Sequence, residues 1–417
     1  MDDDRTAALA EVIESLAPIH RLPASNGERA AAELIRDRFE AAGCAVRIEE
    51  VPAYPSYARP IGTLCAAAAV TGLLAGRSRR TGRSRPVRRA AGVLVGAAAA
   101  GGIVDDITGG ALVARKSLMR PRTTTNVIAE AGDRGASRTL VVLVHHDAAP
   151  SGVIFAQHAE RWVAKHYPQV IEAITSNPPL WWPVIAGPAL ASLGSLLDST
   201  PIRRVGIGLS ALCAAALADI ATRPAVPGAN DNLSGVAVAL SVATALASNP
   251  PTGLRVILVS AGAEEALQQG IRAFARRYFA DLDPARTWFL TLDTVGSGRL
   301  VLLEGEGTVR MHDYGGTFKT LVGDCASEQG ITVLRGLRSH NSTDGSVPLR
   351  HGFPSATLVS VDSHKLLPNY HLYTDTPDNI DYRSVRDAAL LTEAVARRLA
   401  RGHSDQARLP AEERRLP

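Results

Sequence analysis

Apolar residues recur at helical spacing near the amino terminus, with Leu9, Val12, Ile13 and Leu16 on one face, which predicts helix over residues 5–42. Its second stretch, residues 30–42, ends at Gly43. Residues 45–51 alternate as a strand does. The character then changes. Residues 61–76 are uncharged and rich in Ala and Leu, Arg77 to Arg89 is strongly cationic, and residues 90–104 are uncharged again. That is the pattern of a helical hairpin with a basic tip. Strand patterning resumes at Thr125–Ile128 and at Thr139–Val144, which runs into His145. Residues 156–174 predict an amphipathic helix, and the uncharged run 173–197, the polar 198–204 and the apolar 205–218 predict a second hairpin. From Pro227 onward, strands are expected at 255–260, 288–292, 300–303 and 356–360. Helices are expected at 235–247, 270–280, 319–328 and 385–399. Gly402 to Pro417 is polar and ends in Pro, so a disordered tail is expected there.

This alternation predicts an α/β fold, a mixed central β-sheet flanked by helices and interrupted by two inserted apolar helical hairpins. A chain of 417 residues is long enough for one large α/β domain with insertions. The expected division is 1–52 with 122–400 as the α/β domain, 55–121 as the first hairpin insertion, 153–224 as an inserted helix and hairpin, and 401–417 as the tail. The hairpins admit two readings. They are either buried helices packing on one another or on a second subunit, or a membrane anchor inserted through 61–104 and 179–218. A spanning helix wants roughly 20 apolar residues, and three of the four runs are shorter. In favour of the anchor are Arg at both tips, Trp181 and Trp182 at one boundary, and the want of a polar face.

Charge and cysteine narrow the classes. The net charge of +4 comes from the Arg77–Arg89 stretch, and aromatic residues are only 5%, so the base-stacking aromatics of a nucleic-acid surface are not interleaved with the cations. A nucleic-acid partner is not expected. The four cysteines, Cys44, Cys65, Cys213 and Cys325, are far apart, which argues against a disulfide framework or a Cys-type zinc site. Met1-Asp2-Asp3-Asp4 is acidic where a secretory leader is basic, and no signal peptide is expected. The location expected is the membrane, otherwise the cytoplasm. Positive-inside logic puts both hairpin tips in the cytoplasm, which conflicts with exporting the first 60 residues without a signal, so sidedness stays open.

Five potential metal ligands follow in order: His145 in HHD, Asp231 in PGANDN, Glu265 in AEE, Asp293 in LTLDTVG and His371 in NYHLYTDT. Each sits where a strand ends or a helix begins, the edge at which α/β sheets build sites. Taken singly they have ordinary explanations. Asp231 suits an Asx turn, the Glu264–Glu265 pair a solvated helix start, Asp293 a cap, and His371 a loop. Together, two imidazoles and three carboxylates suit a pair of Zn²⁺ ions if one carboxylate bridges, and Glu264 is then a spare base. Asp147 stands two residues after His145, where its carboxylate can accept from the ring and fix the tautomer.

The set of motifs resembles the M28 family of co-catalytic zinc metallopeptidases. The matching segments are NVIAE, VVLVHHD, PGANDNLSG, VSAGAEE, LTLDTVG, GFPSATLVS and YHLYTDTPDNID. The resemblance covers about residues 5–52, 122–152 and 225–400 and leaves the hairpins as insertions. It implies a zinc-exopeptidase fold and two Zn²⁺ per chain, with Asp231 bridging, His145 and Asp293 completing one site and Glu265 and His371 the other. It implies Glu264 as general base, Asp147 as the partner of His145, a cis bond between Asp231 and Asn232, and, more weakly, Tyr370 as an oxyanion donor. The activity implied is that of an aminopeptidase cleaving short peptides with a hydroxide shared by the two ions. One departure stands out: Ala266-Leu267-Gln268-Gln269-Gly270 replaces the family's Gly-Leu-x-Gly-Ser run, which leaves side-chain preference undefined. The hairpins are placed in sequence to roof the cleft. Two alternatives remain, a glutaminyl-cyclase-like acyltransferase with a single zinc, and an inactive membrane-bound binding module. Oligomeric state is not legible.

Overall fold

The structure, a computed structural model, describes residues 2–76 and 85–408. Eight strands form the main sheet: β1 (Ala45–Ala53), β2 (Arg122–Gly132), β3 (Thr139–His145), β4 (Arg255–Ala261), β5 (Thr287–Leu292), β6 (Arg299–Leu302), β7 (Val333–Leu334) and β8 (Ser355–Val361). Their spatial order is β1-β2-β4-β3-β5-β8-β6-β7. The centre, β4-β3-β5-β8, is parallel, as is β6 with β7, while β1 with β2, β2 with β4 and β6 with β8 pair antiparallel. The sheet is therefore mixed, as expected. β3 reads Thr-Leu-Val-Val-Leu-Val-His and is buried throughout, the continuous apolar run of a strand covered on both faces. One face is covered by α1 (Asp2–Leu16), α2 (Asn26–Ala41), and the helices Ser234–Ser248, Gly316–Glu328 and Tyr382–Arg408. The other face is covered by the helix Gln269–Tyr278, through Ile271 and Phe274. Pairing in register brings His145 opposite Ala261 and Leu292 opposite Leu358, so the carboxyl ends of the central strands form one edge.

The two apolar hairpins are α3 (Ala58–Gly76) with α4 (Arg85–Thr108), and α5 (Trp181–Leu196) with α6 (Thr200–Thr222). They pack as one four-helix bundle in which α3 touches α4 and α6, and α5 touches α4 and α6. The helix crossings within the bundle are lined by small residues, including Gly72, Gly92, Gly96, Gly187, Gly194 and Gly206. A Cβ on Gly96 would lie 2.9 Å from the carbonyl oxygen of Pro188, and one on Gly206 would collide with the Ala191 backbone. Glycine is used here to let backbones approach. At the base of the bundle, a fully buried ion pair joins Asp106 to Arg115, and Arg115 Nη1 donates to the Ala266 carbonyl at 2.6 Å. Arg272 and Arg350 donate to the Thr108 carbonyl at 3.3 and 3.0 Å. The bundle is thus tied to the loop that follows the Glu264–Glu265 pair.

Several expected elements differ. Residues 5–42 are two helices, since α1 stops at Leu16, two residues before Pro18. The helix expected over 156–174 is broken into His158–His166 and Pro168–Ala173, because Pro168 cannot donate within a continuous helix. The expected tail is helical over residues 401–408, as the last helix continues to Arg408; residues 409–417 lie outside the described residues. Nothing in Gly402-His403-Ser404-Asp405-Gln406 forbids helix, and the first proline comes at 410. Four two-residue strands, β7 and the small sheet of 305–306, 312–313 and 338–339, were too short to show a period. The tip expected at Arg77–Arg89 lies partly outside the described residues.

Candidate metal centre

The strand-end edge gathers the side chains in question. β3 ends on His145, and the chain after β4 turns through Gly262 and Ala263 to Glu264 and Glu265. Asp293 follows β5 directly, with its N–H donating to the Leu358 carbonyl at 3.1 Å. Asp231 lies in a short irregular helical turn, Ala229–Leu233, and the peptide bond from Asp231 to Asn232 is cis. His371 sits in the loop after β8.

Three ligand groups form within this cluster: His145, Asp231 and Asp293; Asp231, Glu265 and His371; and His145, Glu264 and Glu265. In each group one ligand atom per residue lies within 4.8 Å of the others. Asp231 is shared by the first two. Its Oδ1 is 3.3 Å from Nε2 of His145, and its Oδ2 is 3.2 Å from Nε2 of His371. Glu265 Oε2 is 3.3 Å from the same His371 nitrogen. Glu264 Oε2 is 3.9 Å from His145 Nε2. Asp147 Oδ1 approaches His145 Nδ1 at 3.5 Å, and its two oxygens accept the backbone N–H groups of Glu264 and Glu265 at 3.0 Å each. One carboxylate thus holds the backbone of the Glu pair and stands beside the imidazole.

These residues fit divalent cations on chemical grounds. Both ring nitrogens of His145 and of His371, and Oε1 of Glu265, are buried without a hydrogen-bond partner. Buried polar atoms are rarely left so, and clustered acceptors around a common point are relieved by a cation. The carboxylates Asp231, Glu264, Glu265 and Asp293 also crowd one small volume. Burial raises the pKa of Glu264 and of Asp293 well above the usual carboxylate range; Asp344 and Glu265 push Glu264 further up, and Asp231 pushes Asp293, while His145 opposes both. Asp231 is held below that range, since the two imidazoles outweigh its burial. Burial lowers His371, but Glu265 and Asp231 lift it to about 10.

Supporting residues surround the cluster. Phe155 packs edge-on against His371 with ring centroids 4.5 Å apart, and Tyr370 stacks on the same imidazole at 3.8 Å. Tyr370 is raised well above its ordinary value by burial and by the nearby carboxylates, which keeps the phenol protonated. Of the segment that departs from the M28 pattern, Gln269 clamps Tyr54 through its N–H and carbonyl at 2.7 Å each. Gln268 reaches Ser346 Oγ at 3.0 Å and the Thr343 carbonyl. These side chains pin the loop and leave Leu267 and Gln268 on the wall of the cavity beside the centre.

Three buried polar residues were missed in the sequence. Arg21, fully buried, donates to the carbonyls of His146 at 2.8 Å, Pro227 at 2.8 Å and Gly228 at 3.2 Å, tying together the loops that carry His145 and Asp231. Asp375 accepts the N–H groups of Asn230 and Asp231 at 2.8 and 3.1 Å. Burial pushes its carboxyl up to about 7, with Asp231 adding to the rise and the Asn230 N–H opposing it. Asp344 is buried beside the cluster with neither oxygen partnered. The Thr-Asp-Thr-Pro run after His371 hinted at Asp375. Arg21 and Asp344 carry no local signal.

Residues 195–396 match the model of peptidase family M28, a span containing Asp231, Glu264, Glu265, Asp293 and His371. The resemblance read from the motifs is thereby borne out, and the match supports a zinc-dependent peptidase acting on peptides. Comparison with curated proteins returns no match. Among solved structures, an aminopeptidase from Aneurinibacillus sp. strain AM-1 is similar, with 16% identity and a TM-score of 0.55 over 94% of this chain and 92% of that one. A zinc aminopeptidase from Bacillus subtilis has 14% identity and a TM-score of 0.53, over 95% and 94% of the two chains. The glutaminyl cyclase of Bacteroides thetaiotaomicron has 13% identity and a TM-score of 0.55, over 94% and 97%. At these identities the likeness shows the zinc-exopeptidase fold alone.

Proposed function

We propose, from the M28 match and the carboxylate shared between two ligand groups, that this chain is a dizinc aminopeptidase that removes the first residue of short peptides. Asp231 would bridge, His145 and Asp293 would complete one site, and Glu265 and His371 the other. The single observation carrying this reading is that Asp231 presents one oxygen to each imidazole. Zinc ions held there would supply Lewis acidity toward the scissile carbonyl and an acidified water. Glu264, lining the cavity with its side chain 12% exposed, takes the proton of that water and returns it to the leaving amine. Asp147 positions Glu264 through its backbone and His145 through its ring. Tyr370 is the donor proposed for the developing oxyanion. Ile154, Phe155 and the base of the bundle line the cavity, which supports a preference for short peptides.

The test is metal analysis of the purified protein with chelator-sensitive cleavage of aminoacyl anilides. We expect two zinc ions per chain. Glu264→Gln is expected to keep its metal and lose about 10²–10⁴-fold in kcat. Unimpaired turnover in that variant sinks the assignment of the base. The similar cyclase favours a second reading, and a single zinc with cyclisation of N-terminal glutamine, in place of anilide cleavage, would select it. We also propose that the four-helix bundle is embedded in a membrane, on the distribution of its side chains discussed below.

A further inference from the structure

The cavity beside the Glu pair, of about 130 Å³, has two unlike walls, and the uncharged polar residues Gln268, Thr308, Asn341 and Ser342 also line it. One carries the chemistry, with Glu264, Glu265, Tyr370 and His371. The other is Tyr57, Ile107, Trp181, Val184, Leu217 and Ile220, which all belong to the base of the inserted bundle. Tyr57 and Trp181 meet edge to face with centroids 5.6 Å apart, and Ile107, Val184, Leu217 and Ile220 pack in the same apolar cluster. No charged residue contributes to this second wall. It is also held rigidly against the centre, through the Asp106–Arg115 pair and the bond from Arg115 to the Ala266 carbonyl.

We propose that the bundle base is the specificity wall of the site, and that it receives an apolar first side chain of the substrate. This rests on the aminopeptidase reading. A substrate whose carbonyl lies at the centre, within reach of Glu264, must turn its first side chain into the remaining space of the same cavity. That space is faced by aliphatic and aromatic groups of the bundle. A lysine or glutamate side chain against that wall would lose water with no charged partner from the bundle, whereas an aliphatic or aromatic one gains contact area. The inserted helices thus take over a role left undefined by the departure at residues 266–270, whose two glutamines are committed to pinning the loop.

The experiment compares kcat/KM for Leu-, Phe-, Ala- and Lys-p-nitroanilides, with zinc content and thermal stability checked for each protein. Wild type is expected to prefer Leu and Phe over Lys by at least tenfold. Leu217→Trp, which narrows the space, is expected to lower the Leu-to-Ala ratio by about 10–200-fold. Leu217→Ala, which widens it, is expected to raise the Phe-to-Leu ratio, so the two variants move selectivity in opposite senses. Leu212→Trp, on the outward face of α6 and 68% exposed, is the control and is expected to match wild type. Equal use of all four anilides by wild type, or Leu217 variants that scale every substrate together, overturns the specificity wall and leaves the aminopeptidase reading standing. If the zinc-loaded wild type cleaves none of them, the aminopeptidase reading falls and this inference falls with it.

Discussion

Asp231 is placed by what restrains its backbone. Its N–H and that of Asn230 are both held by Asp375, and the loop before it is held by Arg21. The carboxylate is left free to face His145 and His371. A second buried acid outside the centre offers a cleaner titration. Glu306 is wholly buried, accepts from Thr343 N at 2.7 Å, from Thr343 Oγ1 at 3.0 Å and from the Tyr314 hydroxyl. Burial outweighs these donors and pushes its carboxyl up to about 7, from 4.5 when unfolded. A raised folded value means that the stability it confers is fully present below pH 4.5 and is lost as pH rises through 7. Relative to Glu306→Gln, wild type is expected to lose about 2–3 kcal/mol between pH 4.5 and 8, measured by denaturant unfolding at each pH. Parallel pH curves for the two proteins would refute it. At this scale the six residues of the centre were legible because each closes a strand or opens a turn within a recognisable motif. Arg21 and Asp344 were not, since what each touches is set by approach across more than a hundred residues of chain, or by a pocket that exists only when folded.

The helices of the bundle show what element-scale patterning can and cannot say. Their apolar runs were visible, and so was the pairing into hairpins. That the two hairpins form a single bundle was not, because the contact between α3 and α6 joins segments separated by both intervening strands β2 and β3. The signal that would have revealed it is the small-residue spacing, Gly92 with Gly96 and Gly187 with Ala191, which permits close crossing. Gly206 sits at the tightest such crossing, against the backbone of Ala191. Backbone cannot yield as a side chain does, so Gly206→Val must push α5 and α6 apart. The expected cost is about 1–3 kcal/mol, read as a drop of roughly 3–10 °C in the midpoint of thermal unfolding. Faster tryptic cleavage at Arg203 and Arg204 is expected alongside. An unaltered melting curve and digestion pattern would show that the crossing is looser than described. The broken helix at Pro168 teaches the converse: an amphipathic period survives a proline in the sequence, while the helix itself does not.

At the scale of the whole molecule the two parts are built with opposite polarity of size. The α/β domain buries Leu, Ile, Val and Phe and shows polar groups outside. The bundle buries Gly, Ala and Ser along its crossings and keeps a buried apolar cluster at its base, but turns many large apolar groups outward, with Val87 70%, Leu94 68%, Leu212 68% and Val205 60% exposed. In water that arrangement leaves a broad apolar surface uncovered, whereas in lipid it is the usual one, since close packing of small residues and not hydrophobicity joins the helices. Among the described residues, four helices are long and apolar enough to cross a membrane: α3, α4 and α6 of the bundle, and the segment Ala229–Ser248, which is 72% buried in the α/β core. The helices of the bundle, at 16–24 residues, span about 24–36 Å at 1.5 Å per residue, close to the roughly 30 Å of a hydrocarbon core. The cavity beside the candidate metal centre lies at their base, and the turn at Asp198–Ser199 and the helix ends Gly76 and Arg85 lie at the far end. An embedded bundle would therefore put the candidate metal centre at the membrane surface, on the side opposite Arg85 and Arg89. Wild type is expected to stay with membranes through carbonate extraction. Leu94→Glu with Leu212→Glu, on outward faces only, is expected to shift at least half of the protein to the supernatant, because charged side chains at mid-helix cost about 2.5–3.5 kcal/mol each in lipid. Recovery of wild type in the supernatant would instead mean that another protein surface covers the bundle, and the membrane proposal would be abandoned.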